Sequence, residues 1–185
     1  MDQLLQVGFI LCVKIVLIKN KNMEILFYLA VALFITYIMT TIIYFKKVPK
    51  SISDTYYQWK KEGYSYLFTT VMWSLTFLVL PYWVTIAPNA LKFIPFLSIS
   101  GLGFVGGACA FKETLTQETH YVSAGVWAFF ALLYFALTNN WEAIVIGAGI
   151  GAVGWLLNKA KNLTFWSEIA VVIAMMLGLF MTIKL

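Results

Sequence analysis

The sequence has few charges and contains no arginine. Charged residues make up 11% of the 185 residues, whereas 62% are hydrophobic and the mean hydropathy is +0.85. A soluble domain is about one quarter charged, so this chain cannot surround a globular core with a solvated surface. All 13 basic residues are lysine, which excludes anion sites built on the planar, bidentate guanidinium group. The scarcity of charge predicts an integral membrane protein.

Cysteine is also scarce, and the positive charge is dispersed. Cys12 and Cys109 both lie in apolar runs without CxxC or metal-ligand spacing, so we interpret them as buried, reduced thiols. The net charge of +5 does not indicate nucleic-acid binding, because the lysines lie between hydrophobic segments rather than on one basic face. No cofactor and no metal are predicted.

Six apolar segments approach or reach the length of about 20 residues that a membrane-spanning helix needs. We predict spans over residues 23–45, 64–87, 91–111, 120–138, 143–157 and 163–183. The expected fold is therefore all-α, a polytopic membrane helical bundle in which residues 23–185 form a single transmembrane domain.

Residues 1–22 are expected to form a marginal or interfacial segment. Its apolar part, Leu4–Ile18, is shorter than a span and contains Lys14, and a lysine near a helix centre opposes insertion by about 2.5–3.5 kcal/mol. Two alternatives stay open. The segment inserts as a seventh span by turning at residues 19–22, or translation starts at Met23.

The polar stretch 46–63 predicts the orientation of the chain. The side of this loop holds most of the lysines: Lys46, Lys47, Lys50, Lys60, Lys61, Lys112, Lys159 and Lys161. The other side holds Lys92 and Lys184, with Lys19 and Lys21 near the uncertain start. The positive-inside rule therefore places loop 46–63 in the cytoplasm of a cell (inner) membrane and the C-terminus outside.

Two glycine-rich stretches, residues 101–106 and 149–154, match the pattern GxGxxG. A dinucleotide fingerprint requires a strand before this motif and a helix starting within it, whereas both stretches lie inside apolar spans. Gly103 with Gly107, and Gly147 with Gly151, have GxxxG spacing, which favours close packing of membrane helices.

Polar residues gather on the side predicted to be cytoplasmic and supply the candidate site. The candidate catalytic residues are Ser51, Ser53, Asp54, His120 and Glu168, and the candidate binding residues are Tyr56, Tyr57, Lys112, Glu113 and Glu118. If the helices form a bundle, one cavity on this side could collect a hydroxyl, acids and the only histidine.

These residues also have structural interpretations. Small residues share the helix face of His120 and predict that it faces inward, where it forms a structural hydrogen bond to Glu168, transfers protons in catalysis or ligates a metal. Asp54 and the serines can instead act as turn or cap partners after Pro49.

Two short stretches resemble known families. Ser51-Ile52-Ser53-Asp54, and His120-Tyr-Val-Ser-Ala124 with Phe129-Phe130, are similar to small polytopic proteins of the DUF998-like and Frag1/DRAM-like families, and more distantly to alkaline ceramidase and adiponectin-receptor-like membrane hydrolases. Residues 110–121 resemble membrane proteins of Bacteroidales and their phages. The resemblance covers residues 23–140 and implies a cytoplasmic-side site using a serine, an acid and a histidine. The hydrolases bind zinc through three histidines, and this chain has one, so a zinc site of that design is excluded.

Three functional hypotheses follow. The first is non-enzymatic binding of a lipid, a small molecule or a membrane-protein partner at the cytoplasmic face. The second is a lipid-directed hydrolase in which Ser51 or Ser53 is the nucleophile, His120 the base, and Asp54 or Glu168 orients the base. The third is a small proton-coupled transporter that uses Glu168 and His120.

Overall fold

The structure, a computed structural model, describes the backbone of residues 2–108 and 115–183 and the side chains of residues 23–108 and 119–182. Within these ranges the chain is helical and has no β-strand. The helices are α1 (Asp2–Phe45), α2 (Asp54–Lys61), α3 (Tyr66–Ile86), α4 (Phe93–Ala108), α5 (Leu115–Leu137), α6 (Trp141–Leu157) and α7 (Leu163–Ile183), with a 3-10 turn at Asn89–Leu91. The predicted all-α membrane bundle is confirmed.

Five helical segments are long and apolar enough to cross a membrane. They are Met23–Phe45, Tyr66–Ile86, Asn89–Ala108, Thr119–Leu137 and Leu163–Thr182. The remaining apolar helix, α6, has 17 residues. At the rise of an α-helix it is about 26 Å long, slightly less than the hydrocarbon core of about 30 Å. The count of six spans therefore stays a prediction.

Helix α1 continues without a break from Asp2 to Phe45 and contains 44 residues. Its length of about 66 Å is roughly twice the thickness of the hydrocarbon core. The chain does not turn at residues 19–22, so the hairpin alternative is wrong. The interfacial position of residues 1–22 stays a prediction, because their side chains lie outside the described residues.

The polar loop 46–63 contains α2, which packs against the last turns of α1. The hydroxyl groups of Tyr37 and Thr55 are 2.6 Å apart, and the Trp59 indole N–H donates to Thr41 Oγ1 at 3.0 Å. Trp59 is buried, and its ring packs against two aromatic rings at the end of α1. An aromatic ring thus shields the polar contacts that hold α2 in place.

The start of the same loop is bonded to α7 and to the turn before it. The Asn162 side-chain amide donates to the Val48 carbonyl at 3.0 Å, and the Phe165 N–H donates to the Lys50 carbonyl at 3.1 Å. These contacts place residues 46–65 and 158–162 at one end of the bundle. We call this the lysine-rich end.

The spanning helices form a series of neighbours. Close backbone contacts join α1 to α3, α3 to α4, α4 to α5, α5 to α7, and α7 to α6. In the core, the Trp83 ring stacks on Phe135 with centroids 5.6 Å apart and meets Tyr134 edge-on at 5.3 Å. In the described chain, α1 and α7 are not in such close backbone contact. Both helices line a space between the helices instead.

Candidate functional site

A largely apolar cavity lies between the helices, and its lining includes residues of the lysine-rich end. The cavity volume is about 40 Å³, within about 630 Å³ of space between the walls that includes the part open to the surroundings. The five helices that are long enough to span a membrane all contribute apolar wall residues: Phe27, Ala30, Val31 and Phe34 from α1, Met72, Leu75 and Val79 from α3, Leu102 and Val105 from α4, Ala124 and Trp127 from α5, and Val172, Met175 and Met176 from α7.

Three polar side chains line the end of the cavity nearest to loop 46–63. They are Ser53, His120 and Glu168, and Ile52 lies beside them. Among the other described wall residues, the indole N–H of Trp127 is the only side-chain N–H or O–H donor. From Glu168 to Met176 the cavity follows α7 for about 12 Å. The cavity therefore has one polar end and a long apolar part.

Glu168 connects the loop to α7. It is half-buried on α7, and one carboxylate oxygen, Oε2, accepts a hydrogen bond from the backbone N–H of Ile52. Ile52 is itself buried, although it is the only apolar residue between Pro49 and Thr55. Among the described side chains, no lysine or histidine forms an ion pair with Glu168. When this carboxylate is ionised, its charge is therefore offset among the described side chains by one N–H dipole and no cation.

His120 lies on the first turns of α5 and faces the same cavity, as predicted from the small residues on its helix face. Its imidazole interacts with the backbone of Val105. Its Nδ1 atom is buried and has no hydrogen-bond partner among the described residues. The structural hydrogen bond expected between His120 and Glu168 is not formed, although both side chains line one cavity.

Ser51, Ser53 and Asp54 form a local hydrogen-bonded turn before α2. The hydroxyl groups of Ser51 and Ser53 are 2.9 Å apart, and the Asp54 N–H donates to Ser51 Oγ at 3.0 Å. Asp54 Oδ2 accepts hydrogen bonds from the Lys50 N–H and from the Gln58 amide at 2.8 Å. Of the three, only Ser53 lines the cavity. Ser51 and Asp54 are therefore partners in a local turn, which was one of the two interpretations of these residues.

The candidate binding residues are less closely associated with this site. Tyr56 is half-buried against the Phe68 ring, and Tyr57 is exposed. Neither of them lines the cavity. Lys112 and Glu113 lie outside the described residues, as does the side chain of Glu118. Their assignment to the site stays a prediction.

Sequence reasoning missed the apolar walls and Ile52. The wall residues have the same composition as residues that face lipid, so no local pattern marks them. Ile52 did carry a signal, since a lone isoleucine within a polar loop is expected to find an apolar contact. It finds one at the polar end of the cavity.

The described side chains of this arrangement do not form a nucleophile–base pair or a metal-ligand group. A serine nucleophile needs a hydrogen bond to its base, but the Ser53 hydroxyl is paired with Ser51 and His120 Nδ1 has no partner among the described residues. The described side chains also contain no group of three or more histidine, cysteine, aspartate or glutamate residues placed to hold a metal ion.

Comparisons with known proteins do not assign the chain to a family. No family model matches it, no curated protein matches it, and no solved structure matches it.

Proposed function

We propose that this integral membrane protein binds an amphiphile with a single alkyl chain in the cavity, with the polar head at the lysine-rich end. The observation that carries the proposal is the segregation of the lining. Three polar side chains lie at one end, and apolar side chains from α1, α3, α4, α5 and α7 form the rest. Binding sites are typically apolar with a few convergent polar groups that fix the ligand's orientation.

The position of the polar end suits a molecule taken from the membrane. Glu168 lies about 7.5 Å along α7 from Leu163, the first residue of that helix. Because α7 has 21 residues and is about as long as the hydrocarbon core is thick, this position lies about 7 Å inside the hydrocarbon boundary when α7 crosses the bilayer. An amphiphile would then move its head inward by about that distance while its chain enters the protein.

We infer that the lysine-rich end faces the cytoplasm and the C-terminus the outside. Support comes from lysine placement: Lys46, Lys47, Lys50, Lys60, Lys61, Lys159 and Lys161 are all exposed at this end. Basic loops are retained on the cytoplasmic side during insertion. The ligand would then be drawn from the inner leaflet.

The proposal is tested by filling the cavity. Ala124 lines the cavity and is half-buried, whereas Ala148 is an exposed residue of α6. The protein is placed in phosphatidylcholine nanodiscs and titrated with a bromine-labelled decanol, which quenches tryptophan fluorescence. A saturable part of the quenching is expected from Trp127, which lines the cavity.

In Ala124→Phe we expect the affinity of the saturable phase to fall by about tenfold or more, equivalent to about 1.4 kcal/mol. In the control Ala148→Phe it should be unchanged. Ala124→Val provides a milder change if the phenylalanine variant is not monodisperse. Wild-type quenching without a saturable phase, or equal titration curves for wild type and folded Ala124 variants, would refute the proposal.

The hydrolase hypothesis has one supporting observation, because Ser53, His120 and Glu168 line one cavity. It requires the Ser53 hydroxyl to exchange Ser51 for His120 when substrate binds. Release of fatty acid from a lipid ester by the wild type, lost in Ser53→Ala, would support it, and equal rates in the two proteins would exclude it. Transport is less supported, since it predicts polar groups near the membrane midplane rather than at one end.

A further inference from the structure

We propose that the polar end of the cavity selects a protonated primary amine as the head of the bound alkyl chain. This inference rests on the proposed function, because it specifies the head group of the same ligand. The deciding features are an acid that has no cation partner among the described side chains, a set of hydrogen-bond acceptors, and the absence of any lysine from the described walls.

The charge of Glu168 gives the first argument. A carboxylate has about four sites for accepting hydrogen bonds, and the structure fills one of them, with the Ile52 N–H. The lysines at this end whose side chains are described are all exposed, and none lines the cavity. A carboxylate facing an apolar space gains a strong, charge-assisted interaction when an ammonium group supplies the missing positive charge.

The acceptors around Glu168 give the second argument. An ammonium group has three donors and no acceptor. The polar end offers three groups that can accept: the Glu168 carboxylate, the Ser53 hydroxyl oxygen and His120 Nδ1, which is buried and unpaired in the described structure. A neutral imidazole can accept at Nδ1 when its other nitrogen carries the proton. The cavity lining therefore offers three accepting side chains, as many as an ammonium group has donors.

Other head groups fit this end less well. A carboxylate head would place a second negative charge beside Glu168 in a site of low polarity. A phosphate head needs arginine or lysine partners, but the chain has no arginine and its described walls have no lysine. A quaternary ammonium has no N–H donor and is recognised by aromatic cages, whereas the polar end has Ser53, His120 and Glu168.

The experiment measures competition between ligands that share one chain length. Decylamine, decanol, decanoate and N-decylacetamide each displace the bromine-labelled decanol from wild-type protein in phosphatidylcholine nanodiscs, with Ala124→Phe nanodiscs as the background for partitioning into lipid. We expect decylamine to displace the probe at a concentration about tenfold lower than decanol, as a charge-assisted bond allows. Decanoate should be the weakest competitor.

Two variants test whether Glu168 causes the preference for decylamine over decanol. In Glu168→Gln the preference for decylamine over decanol should disappear, while decanol still binds. In the control Glu142→Gln, an exposed acid at the first turn of α6, the preference should be retained. N-decylacetamide removes the charge from the ligand without changing the protein, so the prediction stays testable if Glu168→Gln does not fold.

The outcomes separate the two proposals. Equal displacement by decylamine, decanol and N-decylacetamide would overturn the amine inference while leaving chain binding intact. A preference for decylamine that survives in Glu168→Gln would also overturn it. Failure of all four compounds to displace the probe, together with an absent saturable phase, would remove the proposed function itself.

Discussion

A methyl group on the buried face of α6 should destabilise the protein, whereas the same group on its outer face should not. A Cβ atom at Gly147 would lie 2.6 Å from the Ala170 carbonyl oxygen and 2.8 Å from the Ala174 backbone nitrogen. These are backbone atoms of α7, which cannot move aside as a side chain can. Gly149, two residues along the same helix, has no atom within 4 Å of the equivalent Cβ position.

The expected change in the free energy of unfolding is the sum of two opposing contributions. Alanine favours a helix over glycine by about 1 kcal/mol, and this gain applies to both positions. Overpacking costs about 1–3 kcal/mol and applies only to Gly147. We therefore expect Gly149→Ala to be neutral or stabilising, and Gly147→Ala to be less stable than Gly149→Ala by about 1–3 kcal/mol.

The assay is SDS-induced unfolding in mixed micelles, followed by tryptophan fluorescence. Because α7 also carries Glu168, close to Ala170 in sequence, a displacement of α7 should weaken decylamine binding in Gly147→Ala as well. Equal stability of Gly147→Ala and Gly149→Ala would show that α6 and α7 do not pack as the structure describes. The reasoning about close contact would then fail.

Two further predictions concern the lysine-rich end. Trp59 is buried and donates a hydrogen bond to Thr41, so Trp59→Ala should release α2 and make tryptic cleavage in loop 46–63 severalfold faster. Tyr57→Ala, at an exposed position, should leave the cleavage rate unchanged. Equal cleavage rates in the two variants would contradict the packing of α2 against α1. The orientation is tested by cysteine labelling in a cysteine-free background. Asn139→Cys should react with a membrane-impermeant maleimide in intact cells, and Lys47→Cys should react only after the cells are permeabilised. The opposite labelling pattern would reverse the inferred orientation.

The sequence predicted the helices well where hydropathy alone decides their limits. The last span was expected over residues 163–183, and α7 has the same bounds. The limits differ where polar residues continue a helix. α5 begins at Leu115 rather than near His120, because Thr, Gln and Glu can occupy exposed helical turns. Likewise, Trp141 and Glu142 belong to the first turn of α6 instead of the preceding turn.

The site could be predicted only in part, because its key contact joins distant parts of the chain. Ser53, His120 and Glu168 were identified as polar residues on one side of the membrane, and the structure places all three around one cavity. The bond between Ile52 and Glu168 spans 116 residues, and no local pattern specifies it. The cavity walls are equally hidden, since Leu, Val and Met face lipid and protein alike.

The lysine-rich loop 46–63 also lines the polar end of the cavity, and one hydrogen bond connects it there to α7. Exposed lysines on the loop favour the aqueous side of the membrane, while Ile52 is buried against the helices. The Ile52 N–H is held by Glu168, so the loop backbone supplies part of the compensation that a half-buried carboxylate requires. A cationic head group would supply the rest. Ligand binding and loop docking should therefore stabilise each other through Glu168, since each reduces the cost of keeping that charge inside the bundle.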